Sequence, residues 1–441
     1  MEDRLGMKID RIPTESRIVF NVTVRNAVER IDHCLQSIEE QNSNRWMCII
    51  TDDASEDGTA KKIEEFTYNK PNYVPILNSS QKWKMENFRR ALDYCELQDI
   101  VVELDGDDYL SRSDFVEDLI RLHTQYDVVW TQHGIDDSLF PEWHNWRSTT
   151  LPDDWSRITP YRETVFSPKM YPGHIRTFKK KYFGQINPKD LLYRGEPLQA
   201  TSDVAYFTPI IEMAHPSLRY FYEKECAIYN IVEQNDTLFD RRNKRSQRGS
   251  NNNYQLQSDI GKYIKQLPPY SVIPIIHRIF FIPDQDFDKF YSIAMRYAMY
   301  EPFSKIHLFA LSNHSAKKLM SLQRVPNMFV YDFDYIVNNS LSMVQDLLQR
   351  RINITLNNAR NFYTFCIKYI STHFFCGSIF LYPLEKIKEQ LIDNQILNSS
   401  LQFFDKTFVI SRSINSCEDE SSINNQIKAD LFALQLQKGD G

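Results

Sequence analysis

Glycine is scarce in this chain, 12 residues in 441, so a glycine at a strand end marks a place where the backbone has to turn. Cysteine is sparse and unpatterned. The seven, Cys34, Cys48, Cys95, Cys226, Cys366, Cys376 and Cys417, are odd in number, widely spaced and form no C-x-x-C. That argues against a zinc site or a disulfide framework and for a reducing compartment. No apolar run reaches the length of a membrane span. Met1 to Asp10 is charged, without the apolar stretch of a signal peptide. We therefore expect a cytoplasmic protein with no integral membrane segment. Asn21-Val22-Thr23 lies inside a predicted strand with no secretion signal, so we read it, like Asn353-Ile354-Thr355, as a chance glycosylation triplet. An excess of positive charge is also missing. The formal net charge is −6, so nothing global recruits nucleic acid.

What is present is ordinary globular material, 42% hydrophobic and 25% charged, in a length that allows two or three domains. Strand and helix signals alternate through the first 130 residues. Arg17 to Val24 is a β-branched, apolar run. Val28, Ile31, Leu35 and Ile38 recur at helical spacing. Trp46 to Thr51 reads as a second strand, and Ser55 to Thr59 offers helix N-cap chemistry before Ile63 and Phe66. Tyr73 to Leu77 is a third strand, Met85 to Cys95 a helix, and Ile100 to Leu104 a fourth strand. A helix over Phe115 to His123 and a strand over Asp127 to Trp130 follow. This alternation predicts an α/β fold with a parallel sheet and helices on its faces.

Residues 131–230 lose that rhythm and read as irregular, aromatic-rich structure over one sheet edge. Arg176 and Lys179 could meet phosphate, although two cations in an exposed turn usually do nothing specific, and His174 could reach the acceptor or the metal, with a packed histidine as the plainer reading. The run 241–253 is basic and polar, a solvated connector or a lid. A second alternation starts near Tyr270, with strands over Ile273 to Phe280, Lys305 to Ala310 and Met328 to Tyr331 and a helix over Phe287 to Tyr300. We expect one domain over 1–265, divided into 16–130, 131–240 and the loop 241–253, and a smaller α/β domain over 270–441.

The chemistry concentrates where strands end. Ile100-Val101-Val102-Glu103-Leu104 runs straight into Asp105-Gly106-Asp107-Asp108. Ligands of open α/β sheets sit at the carboxyl ends of the strands. Clustered carboxylates repel one another, and a cation relieves that repulsion. Oxygen-only ligands suit Mg²⁺ or Mn²⁺, which often share coordination with substrate phosphates. A solvated acidic turn is the plain alternative.

Two further segments carry a resemblance. Ile49-Ile50-Thr51-Asp52-Asp53-Ala54-Ser55-Glu56-Asp57-Gly58-Thr59 and Asn21-Val22-Thr23-Val24-Arg25-Asn26, with the acidic run above, resemble the nucleotide-sugar-binding half of the family 2 glycosyltransferases. The resemblance covers 16–130 and implies a GT-A fold. It implies a sugar donor such as a UDP- or GDP-sugar, with Asp52 or Asp53 at the base, Thr23, Arg25 and Asn26 in the loop beside it, and Asp105 and Gly106 at the ribose and metal region. Asp107, with Asp105, would hold Mn²⁺ or Mg²⁺. Arg25 stands near a point where the family often has an aromatic. The resemblance also implies inversion by a downstream carboxylate, for a glycan or protein acceptor. The family's Glu-Asp pair is absent, and Asp203 is our candidate because the apolar Tyr206 to Met213 that follows would bury it and raise its pKa. Glu212 and Glu196 compete, and a helix cap is the structural alternative for Asp203.

Further on, Ile273 to Phe280 and Gly377-Ser378-Ile379-Phe380-Leu381-Tyr382-Pro383-Leu384 look like a degenerate D-x-D sugar transferase domain of family 32, with Tyr382 and Leu384 where metal aspartates would stand. Acceptor binding, support of the catalytic half and homodimer formation are the roles left to it. The competing readings are an inactive glycan-binding scaffold and a nucleotidyltransferase. The scaffold conflicts with the intact Asp105 and Asp107. The nucleotidyltransferase conflicts with the absence of a glycine-rich loop at Val22 to Val28.

Overall fold

The computed structural model describes residues 16–135, 175–229, 251–282, 287–310, 313–322, 325–331, 378–382 and 409–411. The chain divides into two compact units, Ser16–Ile273 and a second that takes in Pro274 onward.

The N-terminal unit opens with β1 (Ile18–Val24), α1 (Ile31–Glu39), β2 (Trp46–Asp52), α2 (Thr59–Thr67), β3 (Tyr73–Leu77), α3 (Trp83–Ala91) and β4 (Ile100–Asp105). It continues with β5 (Tyr109–Leu110), α4 (Phe115–Leu122), β6 (Val128–Ile135), β7 (Arg176–Lys179), the short pair β8 (Leu192–Tyr193) and β9 (Glu196–Pro197), α5 (Ser202–Met213), β10 (Arg219–Tyr229) and α6 (Asn251–Gln266). Eight strands form one mixed, mostly parallel sheet in the order β3-β2-β1-β4-β7-β6-β10-β5. β3, β2, β1 and β4 are parallel neighbours, which brings their carboxyl ends to one rim.

Ile18, Val19, Phe20 and Val22 of β1 have no exposure. A parallel strand covered on both faces needs such a continuous apolar run. The stripe Ile31, Cys34, Leu35 and Ile38 packs with Phe115, Val116 and Leu119 of α4 into the same core. Each such side chain contributes about 1.5–3 kcal/mol on burial. Val28, expected in the first helix, precedes it; its N–H donates to the Asp57 carboxylate at 3.0 Å. The helix expected over Met85 to Cys95 begins earlier, at Trp83, and passes into a 3-10 turn over Leu92–Tyr94. Asn21 is buried and donates to the Phe88 carbonyl, closing its triplet to modification in the folded chain. Four cysteines, Cys34, Cys48, Cys95 and Cys226, are buried free thiols; Cys366, Cys376 and Cys417 lie outside the described residues.

The expectation of irregular structure beyond residue 131 needs correcting for 175–229. β7 inserts antiparallel between β4 and β6, and β10 pairs parallel with β6. Alternation failed as a signal because charged side chains in and beside these strands are buried by pairing: Lys179 of β7 and Lys181 just after it both bridge Asp127, at 2.9 and 2.8 Å. Arg176 is likewise buried in β7, not in an exposed turn. Of the basic run, 251–253 begin α6; 241–250, His174 and the tryptophan-rich stretch 136–174 lie outside the described residues.

The second unit holds β11 (Ile276–Ile282), α7 (Phe287–Tyr300), β12 (Ser304–Ala310), α8 (Asn313–Ser321), β13 (Met328–Tyr331), β14 (Ser378–Tyr382) and β15 (Val409–Ser411). Its sheet is parallel throughout, in the order β13-β12-β11-β14-β15. Phe280, Ile282, Tyr297 and Leu308 are among the residues of its core. Among the described residues no helix is long and apolar enough to cross a membrane.

Candidate active site

The parallel register sets Thr23 beside both Thr51 and Asp105, and Val24 beside Asp52. The three motifs read from the sequence therefore meet at one rim. The chain after β4 turns back against β1 so closely that Gly106 donates its N–H to the Thr23 carbonyl at 3.1 Å. A Cβ on Gly106 would lie 2.5 Å from Val24 Cβ and 2.8 Å from its Cγ2. Gly106→Ala should therefore cost about 1–3 kcal/mol, the usual range for overpacking a well-packed core. Urea unfolding measures it; an unchanged midpoint would mean the turn can move aside.

Beyond the turn, one carboxylate oxygen each from Asp105, Asp107 and Asp108 lies within 4.8 Å of the others. Burial, and then the charge of Asp105, push the Asp107 carboxyl up to about 6. Two positive side chains reach this cluster and its base. Lys84, in the first turn of α3, pairs with Glu103 at 3.0 Å and with Asp105. Burial works against its charge, but Asp105, Glu103 and Asp203 outweigh that and raise its pKa. Arg176 of β7 pairs with Glu103 and with Asp203, each at 2.9 Å. The Tyr206 hydroxyl donates to the same Glu103 carboxylate. A continuous polar chain thus runs from Asp105 through Lys84, Glu103 and Arg176 to Asp203.

Asp203 lies in the first turn of α5, whose N-cap is Thr201 with no side-chain cap bond. The apolar stretch that follows it is buried as expected, but Asp203 itself meets the Arg176 guanidinium. Glu212 is buried and accepts the Tyr270 N–H at 3.0 Å, a structural bond, and Glu196 is exposed on β9. Asp52 and Asp53 have different environments. Asp53 accepts the Lys82 and Trp83 N–H groups at 2.7 and 3.0 Å and so ties the start of α3 to the rim. Asp52 is buried; its Oδ2 accepts the Ser55 N–H at 2.9 Å while its Oδ1 has no hydrogen-bond partner. Thr23 Oγ1 is likewise buried without a partner. Asn26, at φ 52°, exchanges hydrogen bonds with Ser55 and Glu56, fixing the loop after β1. Arg25 is exposed, with its guanidinium 4.0 Å from Glu56.

The sequence pointed to Arg176 only as a possible phosphate contact in an exposed turn, and gave no role to Lys84, Glu103 or Tyr206. Glu103 carried a signal: a carboxylate inside an otherwise apolar strand demands a buried partner. The cations that answer it come from β7 and α3 and have no local pattern.

Five carboxylates, Glu103, Asp105, Asp107, Asp108 and Asp203, are set against Lys84, Arg176 and Arg30, the last acting on Asp107 through its charge. The donor set is all hard oxygen and fits a divalent cation.

Residues 20–186 match the family model of Glycosyl transferase family 2. No curated protein matches the chain. Among solved structures, S. aureus TarS 1-349 is 18% identical with a TM-score of 0.35, covering 49% of this chain and only 60% of that one. The same protein in complex with UDP-GlcNAc is 14% identical, TM-score 0.36, over 56% of this chain and 71% of that one. The mannosyltransferase PcManGT from Pyrobaculum calidifontis, in complex with GDP-Man and Mn²⁺, is 16% identical, TM-score 0.32, over 52% and 62%. The family match lies within the N-terminal unit, Ser16–Ile273, and the chain spans about 60% of the length of the first of these structures.

Proposed function

We propose that this enzyme moves a sugar from a nucleoside-diphosphate sugar to a hydroxyl of a glycan or protein acceptor, with inversion. The observation that carries the reading is the rim itself: three carboxylates converge beside a sheet edge where Asp52 keeps a buried acceptor oxygen open. Asp105, Asp107 and Asp108 would hold Mn²⁺ or Mg²⁺, which supplies Lewis-acid stabilisation of charge on a departing diphosphate. Asp52 would accept a hydrogen bond from the nucleobase, and Thr23, Arg25 and Asn26 line the loop next to it. Gly106 lets the acidic turn lie flat against β1. In this reading Asp203 takes the acceptor proton. Its side chain keeps 18% exposure while Arg176 fixes its orientation.

Asp203→Asn should leave donor binding intact and abolish transfer. If the variant loses donor affinity in step with its melting temperature, Asp203 acts as structure and the base lies elsewhere. The overall reading is tested by thermal shift and hydrolysis with UDP- and GDP-sugars, with and without Mn²⁺, since a ligand of the folded state raises its melting point. Absence of any shift or turnover across the panel would favour the scaffold reading.

For the second unit we propose a family-32-like fold without metal chemistry. The two segments that carry that resemblance are adjacent parallel strands, β11 and β14, with Phe280 beside Tyr382. Leu384 lies outside the described residues.

A further inference from the structure

The carboxylate expected to take a metal is already paired. Lys84 reaches Asp105 and Glu103 together, and its side chain is 29% exposed, so its head is neither sealed in nor free in solvent. The start of its helix is held unusually firmly. Trp83 stands at φ 69°, a left-handed conformation that costs a bulky residue about 1–2 kcal/mol. The Asp53 carboxylate binds the N–H groups of Lys82 and Trp83, and Asp53 donates its own N–H to the Val24 carbonyl at 2.9 Å. The backbone is fixed, and the four-carbon lysine stem is the part that can move.

Lys84 also has somewhere to go. One carboxylate oxygen each from Asp105, Asp107 and Asp108 lies within 4.8 Å of the others, and a divalent ion among them would offset their mutual repulsion. With the ion bound, an ammonium on Asp105 sits beside a doubly charged cation and is repelled. A diphosphate arriving with the ion restores negative charge at the same rim and gives the ammonium a new partner. We infer that Lys84 is a positioning residue that keeps Asp105 from binding a cation alone and moves to the donor diphosphate when cation and nucleotide bind together. The inference rests on the nucleotide-sugar reading above. Metal and donor are then cooperative: each binds weakly without the other.

The effects of removing the ammonium have opposite signs for the two ligands. In Lys84→Met, Mn²⁺ alone should bind at least about tenfold tighter, since one positive charge a few ångström from the ion is gone. UDP or GDP in the presence of saturating Mn²⁺ should bind at least about tenfold weaker. Lys84→Arg, which keeps the charge, should restore weak binding of the free ion. Titration calorimetry of the full chain with MnCl₂, then with each nucleotide, reads both quantities without turnover, and circular dichroism verifies folding; Lys84→Gln serves if the methionine variant unfolds. Equal Mn²⁺ affinity in wild type and variant, with nucleotide still bound, overturns the role of Lys84 and leaves the metal–nucleotide reading standing. No Mn²⁺ binding by either protein, even with nucleotide, overturns both.

Discussion

Asp107→Ala is expected to abolish metal-dependent donor binding and to lower glycosyl transfer by roughly 10²–10³, the cost of removing one preorganised electrostatic contact to developing charge, while the protein stays folded. Folding should survive because in the metal-free protein Asp107 is a burden. Burial and Asp105 raise its carboxyl to about 6, so the folded state binds its proton more tightly than the unfolded chain. A raised carboxyl contributes stability that is complete below the unfolded value near 4 and is lost as pH rises through about 6. At neutral pH the substitution should be neutral or mildly stabilising without metal. With metal the sign reverses: a ligand must be deprotonated to bind, so the Mn²⁺-induced rise in melting temperature should be full above pH 7 and shrink below about 6. Melting curves of both proteins across pH 5–8, with and without Mn²⁺, test this. Wild-type turnover by the variant would remove Asp107 from the metal site.

The second large effect concerns stability. Arg176 has 1% side-chain exposure and bridges Glu103, also at 1%, and Asp203. Its removal takes a guanidinium from a buried glutamate that also meets Lys84 and Tyr206. Breaking one side of a buried pair typically costs about 3–5 kcal/mol. For a unit of this size each kcal/mol moves the melting temperature by about 2–4 °C, so Arg176→Met should melt lower by roughly 6–20 °C. Replacing Glu103 by Leu in the same chain should recover part of the loss, because two apolar groups no longer strand a charge. A drop within about 1 kcal/mol for the single variant would mean that water reaches the pair. The two variants also separate chemistry from architecture: Asp107 changes binding without loss of fold, whereas Arg176 changes the fold and, through Asp203, the site.

The acidic turn was legible because sequence and structure share a local cause. An apolar run long enough to be buried on both faces makes a central strand, and Asp105-Gly106-Asp107 follows it within one turn. The register of β1, β2 and β4 then carries Thr23, Asp52 and Asp105 to one edge with no further information. The apolar stretch after Asp203 is buried as expected, but its ion pair with Arg176 was not legible, since Arg176 lies 27 residues away on another element. Lys84 and Glu103 are 19 residues apart and meet because α3 packs on β1, whose neighbour in the sheet is β4.

The sequence by itself determined the alternation of elements, the carboxyl rim and the residues that can bind an ion there, because each depends on neighbours a few positions apart. Tertiary structure alone decided which charges are paired, that β7 and β10 complete the sheet despite their polar composition, and that a lysine pairs with one of the rim carboxylates. Those outcomes depend on desolvation and on opposite charges brought together from distant segments, and no period or motif in the chain records them.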